Sequence, residues 1–188
     1  DPSCQCDAAG VRSALILGGA SSVWDDSAKA LDLLRPDLTI AVNDMIGAWA
    51  GYLDIAATLH PEFLHRWLNE RRRNGFNEPQ TWAHKASGPN GRVEARIDRT
   101  TDDWAGSSGL FAVKIALECG CDRIVLAGVP MSAGGAHFFD AAKWKEANAY
   151  HKAWLKHQSE LAPFVRSMSG QTMTWFGAPD ASWLARAA

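Results

Sequence analysis

Two short turns of small residues, an Asn-Asp pair and one histidine carry most of the chemistry this sequence offers. Gly18-Gly19-Ala20-Ser21-Ser22 follows an apolar run, and Gly106-Ser107-Ser108-Gly109 precedes a helical pattern. Glycines let backbone N–H groups approach an anion closely, and serine hydroxyls donate at the same place. The spacing is neither Gly-x-Gly-x-x-Gly nor a Walker loop with its lysine, so neither an ordinary NAD site nor a P-loop ATPase is expected. The strand, Gly-x-Ser-x-Gly, helix order of a serine-hydrolase elbow is also missing. Plainer readings stand beside these: the first turn serves tight geometry, and Ser107 or Ser108 is an ordinary helix N-cap. Asn43 and Asp44 close a second apolar run, at the carboxyl end of an expected strand, where ligands bind in parallel sheets.

Six histidines contain no HExxH and no close metal pair, so no metal site is expected from them. His137 follows a small-residue segment, 132–136, and is the candidate general base, because imidazole titrates near neutral pH. The competing reading packs it beside Phe138 and Phe139. His60 is read as the cap of a helix opened by Pro61, and His65, His151 and His157 as helix-surface residues. Arg71, Arg72 and Arg73 end that helix, where cations complement the dipole. The four cysteines form two Cys-x-Cys pairs, Cys4/Cys6 and Cys119/Cys121. A four-thiolate zinc site is one reading; small core residues at 119 and 121 and a loose terminus at 4 and 6 is the preferred one, because zinc sites favour wider spacing.

The elements that must position these residues alternate. Apolar runs at 13–17, 38–42, 54–59 and 123–127 predict buried parallel strands. Helical patterns at 23–34, 45–50, 61–73 and from Ser107 onward separate them. A polar excursion, about 71–106, carries weak strand signals at 81–84 and 93–97. A long helix is expected over about 139–161, strand segments at 164–168 and 172–176, and a terminal helix at 181–187. The fold class is therefore α/β, a three-layer Rossmann-like domain with a mainly parallel sheet, spanning 1–188 as one unit. In such a sheet ligands bind beyond the carboxyl ends of the strands, which is where Gly18, Gly19, Asn43, His60 and Gly128 fall.

At 188 residues, with 47% hydrophobic and 21% charged, the chain has an ordinary globular balance that excludes disorder. A formal charge of −2 offers no global basic field for nucleic acid or an anionic membrane. No long apolar run and no leader pattern appear, so a cytoplasmic location is expected. Nine tryptophans against two tyrosines stiffen a core or line a cleft.

Taken in order, ILGGASSVW, IAVND, GSSGLFAVKIAL, RIVLAGVPM and HFFD resemble the Rossmann-like nucleotide-binding superfamily of bacterial CMP-sialic-acid sialyltransferases, motility accessory factor proteins and hydroxymethylpterin diphosphokinases, which has small phage-encoded members. The resemblance covers about residues 13–140. It implies that the turn 18–22, Asn43 and Ser107-Ser108-Gly109 hold a nucleotide. The first turn lacks the family's asparagine, only Tyr52 and Tyr150 are available where those transferases place tyrosines, and His137 matches a base by position alone. The activity the resemblance implies is transfer from a nucleotide-activated donor, with glycosyl (sialyl) transfer as its example, with Gly18, Gly19, Ala20, Ser21, Ser22, Asn43, Asp44, Ser107, Ser108 and Gly109 around the nucleotide, His137 as base and no cofactor or metal required. The alternatives are a non-catalytic nucleotide-binding or sequestering protein and, third, an interaction protein with an eroded site.

Overall fold

Apolar runs free of interior charge become the strands at the centre of the sheet, because a parallel strand covered on both faces has no solvent side. A computed structural model describes residues 11–86, 95–143 and 147–185. In chain order its first half comprises β1 (Ser13–Leu17), α1 (Val23–Leu33), β2 (Leu38–Val42), α2 (Met45–Ala48), β3 (Ile55–Thr58), a 3-10 turn at Pro61–Phe63 leading into α3 (Leu64–Arg73), β4 (Gln80–Ala83) and β5 (Arg99–Thr100). The second half comprises α4 (Ser108–Glu118), β6 (Arg123–Ala127), β7 (Ala136–His137), β8 (Asp140–Lys143), α5 (Ala147–Leu161), β9 (Val165–Ser167), α6 (Gly170–Phe176) and α7 (Ala181–Ala185).

Seven strands form one all-parallel sheet in the order β5-β4-β3-β2-β1-β6-β9. The chain builds outward from β1 to β5, then returns through α4 to place β6 on the other side of β1. That reversal opens a crevice beyond the carboxyl ends of β1 and β6. Alternate residues of β1 face opposite layers, as the period of two requires. Ala14 and Ile16 pack with Leu110 and Val113 of α4, Trp154 of α5 and Phe176 of α6. Leu15 and Leu17 pack with Val23 of α1, Ile46 of α2, Trp67 of α3 and Trp183 of α7. The result is the three-layer α/β architecture the alternation predicts, with four of the tryptophans, Trp67, Trp82, Trp154 and Trp183, buried in it.

Several expectations need correction. The helix expected from Phe139 is instead an antiparallel hairpin, β7–β8, and the helix begins at Ala147. Hydrogen bonds to the first turn draw this segment into extended pairing: Ser21 N–H donates to Ala136 O at 2.8 Å and Phe138 N–H to Gly19 O at 3.0 Å. The run 172–176 is helix, not strand. Thr172 and Phe176 are its buried residues, four apart, a helical spacing that a five-residue window does not separate from a strand. The excursion extends the sheet through β4 and the exposed pair β5, whereas Ala95–Ile97 forms no strand and residues 93–94 lie outside the described ones. Arg71 is not a surface dipole partner but is buried, 1% exposed. Cys119 and Cys121 are buried in the core, and burial pushes the Cys121 thiol up to about 12. Cys4 and Cys6 lie outside the described residues.

Candidate functional site

Four strands, β1, β2, β3 and β6, deliver their carboxyl ends to one cleft of about 230 Å³, closed above by the start of α4 and by the β7–β8 hairpin. Of the residues singled out in the sequence, Gly18, Gly19, Ala20, Asn43, Asp44, Ser107, Ser108, Gly109 and His137 line it. Ser21 and Ser22 do not. The cleft also takes in His60, Met131, Phe139 and Tyr150, and among the described residues no lysine or arginine lines it. Among the described residues no cluster of three or more His, Cys, Asp or Glu is placed to hold a metal ion.

The first turn is mostly committed to the fold. Gly18 N–H donates to Ala127 O at 2.8 Å, Ala20 N–H to Gly128 O at 3.1 Å and Ser21 N–H to Ala136 O at 2.8 Å. The Ser22 hydroxyl donates to Asp26 Oδ2 at 3.0 Å. That carboxylate is buried and also accepts the Gly128 N–H at 2.9 Å and the Ser169 hydroxyl at 2.6 Å. Asp26 therefore ties the β1 and β6 turns to the start of α6, a role hidden in a sequence where it reads as one of two acids in a helix's first turn. The glycines answer to this packing: a Cβ on Gly18 would lie 2.4 Å from Gly128 O, and Gly128 itself holds φ +67°. Gly18→Ala is expected to destabilise the fold by about 1–3 kcal/mol, the range for forcing an atom into a filled core. Urea unfolding measures it, and a midpoint equal to wild type would show that the β1–β6 junction yields.

Anion-binding capacity lies instead at α4. Ser107 is the N-cap, its hydroxyl oxygen accepting the Leu110 N–H at 3.4 Å and the Trp154 indole N–H at 3.1 Å. This leaves the Ser108 and Gly109 amides at the first turn of an 11-residue helix that opens on the cleft. Ser108 Oγ is 3.2 Å from Asn43 Nδ2. Asn43 holds φ +52°, a left-handed conformation that asparagine tolerates better than most residues. The other non-glycine residues of positive φ among those described are Met131, also in the cleft, and Ala105, next to Gly106 in its lining. Backbone strain of this kind concentrates where surrounding structure fixes a functional geometry. Asp44 Oδ1 accepts the Trp67 indole N–H at 3.1 Å and has Arg66 at 3.9 Å.

His137 is half-buried on the cleft wall, bridged to Ala20 and 5.1 Å from the Phe139 ring. It therefore packs beside phenylalanine, as one sequence reading has it, and also lines the cleft. His60 makes no side-chain cap bond to the turn at Pro61; it is exposed at the cleft rim with Nδ1 3.4 Å from Glu62 Oε1. His151 and His157 are half-buried packing residues: His151 Nε2 lies 2.6 Å from Met131 O, and His157 stacks on Trp104 at 4.4 Å.

This architecture has solved counterparts. A sialyltransferase, CST-II, in complex with a trisaccharide acceptor and CMP matches with a TM-score of 0.62 at 11% identity, covering 94% of this chain and 89% of that one. The monofunctional alpha-2,3-sialyltransferase Cst-I from Campylobacter jejuni matches with 0.62 at 11% identity, over 95% and 83% of the two chains. CstII from Campylobacter jejuni with the analogue CMP-3FNeuAc matches with 0.57 at 12%, over 95% and 89%. The chain has the fold of these sialyltransferases. No protein-family model matches the sequence, and no curated protein does. The structural likeness extends past the 13–140 stretch on which the sequence resemblance rests. Among the described residues no helix is long and apolar enough to cross a membrane.

Proposed function

We propose that this cleft binds the phosphate of a nucleotide-activated sugar and that the protein is a glycosyltransferase of the sialyl-transferring kind. The observation that carries the reading is convergence: the amide donors of α4, Asn43 at the end of β2, and His137 of β7 meet in one cleft although they are distant in sequence. In the proposed step an acceptor hydroxyl oxygen bonds to the anomeric carbon of the donor sugar. The bond from that carbon to the phosphate oxygen breaks, and its electron pair leaves with the nucleoside monophosphate. The acceptor's proton passes to His137. Charge growing on the phosphate is met by the Ser108 and Gly109 N–H groups and the α4 dipole, without need of a metal. CMP in the solved counterparts supports cytidine as the first nucleoside to test.

Because three amides of the first turn are occupied by the fold, a second reading has support, in which the protein binds or sequesters a nucleotide without turnover. A thermal-shift panel of CMP, CDP, UDP, GDP, ATP and CMP-sialic acid tests binding. A ligand at about 100 times its Kd adds roughly 2.7 kcal/mol to native stability. In a domain of this size that raises Tm by roughly 5–10 °C. CMP and CMP-sialic acid are expected to give this shift, and a flat panel at millimolar concentration overturns the proposal. Acceptor-dependent release of CMP from CMP-sialic acid then separates the transferase from the binding protein.

A further inference from the structure

The carboxyl ends of β2 and β3 hold a hydrogen-bonded chain that runs from the His60 backbone through Thr58 and Asn43 to Ser108. The His60 backbone N–H, which can only donate, lies 2.8 Å from Thr58 Oγ1. Thr58 is fully buried, and its hydroxyl proton goes to Asn43 Oδ1 at 2.9 Å. With Oδ1 receiving that proton, the Asn43 amide turns Nδ2 toward Ser108 Oγ at 3.2 Å. A hydroxyl that accepts on this side has its single proton left for another direction. Among the described residues no protein acceptor takes it, and Ser108 lines the cleft.

We infer that Thr58 is a positioning residue that leaves the Ser108 hydroxyl proton for the cleft, so that the cleft favours an oxyanion. This rests on the nucleotide reading above and deepens it, because it names the phosphate, not the base or sugar, as what this corner recognises. Three donors then stand at the start of α4: the Ser108 N–H, the Gly109 N–H and the Ser108 O–H. Among the described residues no lysine or arginine lines the site, so the polarity of neutral groups supplies there what a cation supplies elsewhere. Remove the Thr58 hydroxyl and Asn43 loses the bond that sets its amide. The amide is then free to turn Oδ1 to Ser108, which draws the serine proton out of the cleft.

The experiment is isothermal titration of wild type, Thr58→Val and Thr58→Ser with CMP and, in parallel, with cytidine. Thr58→Val keeps the buried shape and is expected to weaken CMP about 10- to 100-fold, the size of one charge-assisted hydrogen bond. Cytidine, lacking the phosphate, is expected to change less than about threefold, and Thr58→Ser is expected to restore CMP binding. Equal losses for CMP and cytidine, an unchanged CMP affinity, or no recovery in Thr58→Ser overturns the inference while the nucleotide reading stands. If wild type binds none of CMP, UMP, AMP and GMP, the nucleotide reading itself fails and takes this inference with it. Should Thr58→Val not fold, Ser108→Ala decides: it removes the donated proton and keeps both partners of the Thr58–Asn43 bond, and an unchanged ratio of CMP to cytidine affinity overturns the inference.

Discussion

His137→Gln is expected to lower transfer from a nucleotide-activated donor by roughly 10²–10⁴-fold, the usual contribution of a general base, with CMP affinity nearly unchanged. Glutamine keeps a hydrogen-bonding side chain of similar reach but takes up no proton near neutral pH. The placement of His137 supports separating the two effects. It stands on the hairpin bridged to Ala20 at the end of β1, whereas the proposed phosphate donors belong to α4 and the end of β2. Gly19 leaves room there: a Cβ on it would already touch His137 Cδ2 at 3.6 Å. Single-turnover release of CMP from CMP-sialic acid, with CMP binding measured in the same preparations, checks the prediction. Turnover equal to wild type removes the nominated base, and loss of binding and turnover together makes His137 a binding residue.

Which elements could be read from the sequence follows from what the sheet buries. β1, β2 and β6 sit at the centre, covered on both faces, so apart from Ser13, Thr39 and Arg123 their residues are apolar, and their bounds are legible as 13–17, 38–42 and 123–127. Toward the edge the signal fades. β5 has two exposed residues, Arg99 and Thr100, and its place beside β4 shows only in the pairing of Trp82 with Arg99 and of Ala83 with Thr100. The β7–β8 hairpin is set by bonds to a turn over a hundred residues earlier in the chain, which no local pattern records.

Within the site the legible residues are those whose function is tied to where an element begins or ends. Asn43 closes β2 and Ser108 opens α4, and both line the cleft. The turn at 18–22 is ambiguous in sequence because close packing and anion binding call for the same small residues. Only the direction of its amides separates them, and those of Gly18, Ala20 and Ser21 point to the carbonyls of Ala127, Gly128 and Ala136. Thr58 left no trace as a functional residue, since a threonine ending a strand is ordinary β chemistry. Its meaning lies in a partner fifteen residues away in sequence, Asn43.

Arg71 shows the same limit for stability, and Arg71→Ala is expected to cost about 3–5 kcal/mol, the scale for breaking a buried, fully hydrogen-bonded charged group. Its guanidinium sits under α2, where all five donors meet neutral oxygens. Nε bonds Asn77 O at 2.6 Å, one terminal nitrogen bonds Ile46 O at 3.3 Å and Trp49 O, and the other bonds Gly51 O at 3.0 Å and Asn77 Oδ1 at 2.6 Å. Desolvation holds its pKa below the ordinary arginine value, with Glu78 acting against that. Asn77 in turn grips Leu53 at both its N–H, 3.0 Å, and its carbonyl, 2.8 Å. The knot thus fixes the path from α2 into β3, and so the spacing between Asn43 and Thr58 on which the cleft depends. Arg71→Lys is expected to recover little, because one ammonium cannot serve acceptors spread around a planar fork. Arg72→Ala supplies the contrast, since its ion pair with Glu78 at 2.8 Å is exposed and its removal should change stability by less than about 0.5–1 kcal/mol. Urea unfolding of the three variants reads the difference. If Arg71→Ala and Arg72→Ala shift the midpoint equally, the buried guanidinium does not hold this region together, and the ordering of the β3 end has to come from the sheet alone.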